Sequence, residues 1–163
     1  MATKSSLPLA DRISTSIKQL AESAGRLNSA SDELAKAIAP IDAALKRLNL
    51  GVVAWSPFEG DTDHDSGDFW THDIGYAKVS GKWGLAIQAI SGNMNFIESQ
   101  DEWLFNDAPR SMRIKAVDSI PDLLEALVKK ADKVAVDIQK KTAHVRDLAD
   151  TIIAVPTTAQ GRK

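Results

Sequence analysis

Residues 74–90 read IGYAKVSGKWGLAIQAI, and this stretch decides the fold class. In its second half Trp83, Leu85, Ile87 and Ala89 alternate with Gly84, Ala86, Gln88 and Ile90. That is a period of two, so it reads as a strand with two distinct faces rather than as a helix. Ile74–Val79 reads as a second strand, and Ser80-Gly81 between them is a two-residue turn of the kind tight hairpins use. Working outward, Val52–Trp55 forms a short first strand. Gly92-Asn93 turns the chain into Met94–Ile97, and Trp103–Phe105 either extends that strand or makes a fifth.

Composition follows the same boundaries. All nine aromatic residues lie between Trp55 and Phe105, and seven of the nine glycines lie between Gly51 and Gly92. Outside that window the chain is rich in Ala, Leu, Ile, Lys and Asp, which is helix composition, whereas inside it is sheet composition. After the strands, Asn106 or Asp107 is expected to cap a short helix over Pro109–Ala116. Ser119 is expected to open a long helix with Pro121 in its first turn.

On the N-terminal side the apolar series Ile13, Ile17, Leu20, Ala24, Leu27, Ser31, Leu34, Ile38, Ile41, Leu45, Leu48 alternates steps of four and three. The C-terminal series Ile120, Leu124, Leu127, Ala131, Val134, Ile138, Lys141, Val145, Leu148, Ile152 does the same. Each has one polar member, Ser31 and Lys141, and the pattern is that of a heptad seam. Pro40 costs about 3 kcal/mol in a helix interior, yet the phase runs through it, so it reads as a kink with Pro40 outside or as two collinear helices. Paired antiparallel, the series align Leu48 with Leu124, Leu34 with Ile138 and Ser31 with Lys141. Small residues such as Ala21 and Ala35 flank the first seam where a two-stranded coil carries charges. Such a wide face suits more than one partner helix, and a homodimeric four-helix bundle covers it most simply. The expected interface is Ala21, Leu27, Ser31, Leu34, Ala35 and Ile38 with Ile138, Lys141 and Val145.

The fold class read from the sequence is therefore α+β. Two long antiparallel heptad helices, N- and C-terminal, flank a small antiparallel β-meander of three to five strands plus a short helix. The divisions are a helical arm over 1–50, a sheet region over 51–107, a short helix and second arm over 108–155, and a disordered tail over 156–163.

Charge is partitioned too. Residues 1–50 carry seven basic and five acidic side chains, 51–109 carry two and ten, and 110–163 carry eleven and seven. No run approaches the roughly 18 consecutive apolar residues of a membrane span. Met1–Ala10 lacks the pattern of a secretory signal, and there is no cysteine. These features point to a cytoplasmic protein without membrane partners, disulfides or thiolate chemistry.

The most suggestive candidate for chemistry is 61–68, DTDHDSGD. Asp61, Asp63 and Asp65 are spaced like the first ligands of a calcium loop, with Asp68 nearby. The match fails at Gly67, one place late, and at His72, which falls where a bidentate carboxylate is needed. The stretch reads as a solvated acidic loop, with weak divalent-cation binding as the alternative. His64 and His72 with Asp68 and Asp73 lack metal-site spacing, and no resident cofactor is expected. No phosphate-loop, dinucleotide, nucleophile-elbow or zinc-protease motif occurs, and no catalytic residue is nominated. The basic residues Lys129, Lys130, Lys133, Lys140, Lys141 and Arg146 are interleaved with acids, so nucleic acid is an unexpected partner. Of the tryptophans, Trp70 beside the acidic loop is the one free of a core role. The functional expectation is a non-enzymatic protein–protein interaction module. It self-associates through its helical arms and presents an acidic aromatic sheet to an unidentified protein. Two alternatives are a metal-dependent binder or enzyme using residues 59–73, and an acidic nucleic-acid mimic that blocks a basic protein surface.

Overall fold

In the computed structural model, residues 8–154 are described; the tail expected at 156–163 lies outside them. The elements are helix α1 (Leu9–Leu48), strands β1 (Ala54–Thr62), β2 (Asp68–Val79), β3 (Lys82–Asn93) and β4 (Phe96–Leu104), helix α2 (Arg110–Ala116) and helix α3 (Ile120–Ala154). The chain divides into two compact units at Asn49/Leu50.

The first unit is α1. It runs unbroken through Pro40, which is exposed, so the missing amide and the ring face water. Ile38 and Leu45 are its buried residues, seven apart in the apolar series. The helix stops at Asn49, whose left-handed backbone (φ 47°) returns its amide to the Lys46 carbonyl at 3.2 Å. Asparagine tolerates that conformation better than most residues.

The second unit is a four-stranded antiparallel meander in the order β1-β2-β3-β4 with helices packed on it. Its centre is the hairpin expected from 74–90: Val79 pairs with Lys82 across Ser80 and Gly81, whose φ values are 48° and 83°. Two positive φ angles give a turn whose twist matches the flanking strands.

The strands are longer than the sequence suggests. β1 continues from Trp55 to Thr62, and residues 68–73, read as loop, are the first half of β2. The connection between them is only residues 63–67. Likewise 94–97 and 103–105 are not separate strands, because β4 runs without interruption from Phe96 to Leu104. The turn before it is Met94-Asn95 rather than Gly92-Asn93, with the Asn93 side chain accepting the Asn95 amide at 3.0 Å. Aspartate and glutamate are disfavoured in strands by propensity, but backbone pairing holds Asp61 opposite Trp70, Asp68 opposite Asn93 and Asp101 opposite Ala89.

Cross-strand partners share a face, which sorts the sheet into rows. On the front face Ser56, Ile74, Ile87 and Trp103 form one row, and Ala54, Tyr76 and Leu85 the next. Ile74, Ile87 and, from α3, Leu123 are fully buried. Phe105, Met112, Ala116, Ile120 and Leu127 complete this core, and Tyr76 stacks on Trp83 at 5.4 Å between ring centres. The back face holds a second small cluster of Ala77, Val79 and Ala86 with Trp55 and Leu104. There Trp55 lies so close over Gly75 that a Cβ at this position would fall within its ring.

α2 starts from the Pro109 carbonyl, which accepts the Met112 and Arg113 amides; neither Asn106 nor Asp107 caps it with a side chain. A 3-10 turn at Val117–Ser119 feeds directly into α3, with Pro121 in the first turn, where a missing amide is harmless. Beyond Leu127 no described residue of α3 is buried. No helix among the described residues is long and apolar enough to cross a membrane.

Candidate functional site

Two further rows continue the front face past the apolar ones. The first is Glu59, His72, Ala89 and Asp101, and the second is Asp61, Trp70, Ser91 and Ser99. The face therefore changes character within one pleat, from Ile74 and Ile87 under the helices to acid, serine and aromatic beyond them. Trp70 is 39% exposed and stands over His72, with ring centres 4.9 Å apart. Depressions flank it on both sides. One of about 450 Å³ is lined by Asp61, Asp63, Asp68, Phe69, Ser91 and Glu98. The other, of about 490 Å³, is lined by His72, Ala89, Ser91, Ser99 and Asp101.

The acidic groups are not equivalent. Glu59 accepts from Lys115 of α2 through Oε1 and from the His72 Nδ1–H through Oε2 at 3.3 Å. The Lys115 hydrogen bond is the largest influence holding its carboxyl below the usual glutamate range, with His72 adding to it. Lys115–Glu59 is the ion pair that ties α2 to the polar half of the face, and chain proximity gave no sign of it across 56 residues. By contrast Asp61, Asp68, Glu98 and Asp101 have no ion pair among the described residues. Among the described residues, then, four carboxylates around an exposed indole have no cationic partner, although Asp61 Oδ1 accepts the Thr62 amide at 2.8 Å.

Asp63 has a structural task. Its Oδ1 accepts the Asp65 amide at 2.8 Å and the Ser66 amide at 3.4 Å, closing the β1–β2 turn and lowering its pKa. Gly67, with φ 75°, completes that turn against Met94. Of the four aspartates considered as cation ligands, Asp61, Asp63 and Asp68 line the same depression and Asp65 does not. Among the described residues no group of three or more His, Cys, Asp or Glu side chains is arranged to hold a metal ion. His72 and Asp73 are adjacent in one strand and so point to opposite faces. Asp73 is buried on the back, accepting from Gln88 Nε2 and Thr71 Oγ1, both at 2.7 Å.

The expected interface residues fall as follows. Ala21 and Leu27 are exposed on α1, Ser31, Leu34 and Ala35 are half-buried, and Ile38 is buried. The Ser31 hydroxyl donates to the Leu27 carbonyl at 2.9 Å, so its hydrogen-bonding need is met within its own helix. On α3, Ile138, Lys141 and Val145 line one face together with Val134 and Thr142, and Ile138 and Val145 are about three-fifths exposed. Trp70, expected beside an acidic loop, lies within β2 and is exposed. Asp101, Ser99 and Glu98 are not legible as its neighbours in the sequence, because their approach depends on the β3–β4 register.

The chain matches no known protein-family model, no curated protein and no solved structure.

Proposed function

We propose that the protein is a non-enzymatic interaction module that binds a basic segment of another protein on the polar half of its sheet and self-associates through its helical arms. The observation that carries this reading is the exposed Trp70 indole set among the carboxylates of Asp61, Asp68, Glu98 and Asp101, which have no ion pair among the described residues. An aromatic face attracts a guanidinium or ammonium group by about 0.5–2 kcal/mol, depending on how far it is desolvated. Surrounding carboxylates raise the local concentration of cations and speed their arrival. Self-association is supported by the exposed apolar residues along each arm. Ile13, Ile17, Leu20 and Leu27 on α1, and Ile138, Val145, Leu148 and Ile152 on α3, are all at least 48% exposed. Long helices gain most of their stability from packing such a face, and the heptad spacing suits a second copy of the same helices.

The test is titration of a fluorescein-labelled oligoarginine peptide into the full chain, followed by polarisation. Binding should weaken as salt rises. Trp70→Ala should weaken it roughly tenfold while leaving the far-ultraviolet circular dichroism unchanged. Binding of equal strength by Trp70→Ala would show that this face is not the site.

A further inference from the structure

The two edges of the sheet are built differently. β1, at one edge, is interrupted by Pro57, which has no amide to offer, and by a register shift between Pro57 and Glu59. These are the devices by which edge strands avoid pairing with other chains. β4, at the opposite edge, has no proline. One register shift beside Ser91/Gly92 leaves Glu98 as its extra residue; from Ser99 to Leu104 the pairing with β3 is regular. Phe96 to Glu102 are all exposed. In a strand paired on one side, alternate amides and carbonyls point outward, and among the described residues no further strand pairs with this edge.

Charge selects the occupant. β4 carries Glu98, Asp101 and Glu102 and no basic residue. A second copy of β4 laid against it would bring carboxylates together, and like charges across a strand pair are destabilising. Asp101 shares the front face with Ala89 and Glu102 the back face with Gln88. An added strand therefore meets one carboxylate on each face at neighbouring positions. Its complement is two adjacent basic residues, which point to opposite faces in an extended chain.

We infer that the outer edge of β4 receives, as a fifth strand, an extended segment of a partner protein carrying adjacent Lys or Arg residues. This rests on the reading of the sheet as an interaction surface and names the mode and the chemistry of the partner. Backbone pairing supplies affinity in such augmentation, and side chains on alternating faces supply selectivity. The front-facing member of the basic pair lies beside Asp101, in the row that contains His72 and next to the row of Trp70.

The experiment uses the full chain and the peptide Thr-Val-Thr-Lys-Arg-Thr-Val-Thr. Its controls are the same peptide with Glu-Glu in place of Lys-Arg, and Lys-Arg peptides N-methylated at alternate residues in either phase. Affinity is measured by calorimetry and amide exchange by nuclear magnetic resonance. The Lys-Arg peptide should bind and slow exchange at alternate amides between Ser99 and Leu104. The Glu-Glu peptide should fail, and N-methylation in one phase should abolish binding. Asp101→Lys with Glu102→Lys, both exposed sites, should weaken binding roughly tenfold or more. Equal binding of both N-methylated peptides, or unchanged β4 amides when the peptide binds, would overturn strand addition while leaving the acidic surface as a binding site. Equal binding of the Glu-Glu peptide would overturn the charge selection. If neither this peptide nor oligoarginine binds at millimolar concentration, the inference and the reading beneath it both fail.

Discussion

Replacing Ile138 and Val145 together by aspartate separates a lone chain from a self-associated one. In the single copy these side chains are 59% and 60% exposed. Fully burying such a residue stabilises by about 1.5–3 kcal/mol, so covering the exposed three-fifths contributes about 1–2 kcal/mol per side chain. A symmetric dimer contains each residue twice, so the double substitution removes about 4–7 kcal/mol of association, a rise of about 10³–10⁵ in dimer Kd. Exposed substitutions in the monomer cost only about 0.5 kcal/mol or less, and Ile, Val and Asp differ little in helix propensity. Sedimentation velocity over the micromolar to submillimolar range, with thermal melts of the dissociated species, reads both quantities. The wild type should be dimeric and the variant monomeric, with nearly the same monomer melting temperature. A monomeric wild type throughout that range, or an unchanged Kd in the variant, refutes the reasoning.

Three further outcomes are expected. Leu123→Ala empties a fully buried site between α3 and the sheet; it should cost about 3–4 kcal/mol, read by urea unfolding, and a loss below 1 kcal/mol would mean that the site is not a packed core. Gly75→Ala drives a methyl into Trp55 and should cost about 1–3 kcal/mol with a changed near-ultraviolet circular dichroism; an unchanged spectrum would place Trp55 elsewhere. Acid sensitivity follows from Glu59 and Asp63, whose carboxyls sit below their usual values. As pH falls, the unfolded chain takes up these protons before the native state does. Their contribution is therefore present above the ordinary carboxylate range and lost as pH drops through the lowered native values. Glu59→Gln should give a shallower fall of melting temperature with acid than the wild type, and an equal slope would remove the Lys115 and His72 contacts from the account.

The sequence alone determined the class of architecture. The period-two alternation of Trp83 to Ile90, the Ser80-Gly81 turn and the helix-forming composition of both flanks are local signals. So is the left-handed stop at Asn49. The extent of the strands was not legible, because Asp61, Asp68 and Asp101 argue against strand by propensity and are held there by pairing with the neighbouring strands. Tertiary structure alone decided that Glu59, His72, Ala89 and Asp101 form one row, that Lys115 reaches Glu59, and that Asp63 is used up by its own turn. It also decided that Pro57 and a register shift interrupt one edge strand, whereas the other pairs regularly with its neighbour from Ser99 to Leu104. Those facts depend on register, and register is a property of two strands that no single stretch of sequence contains.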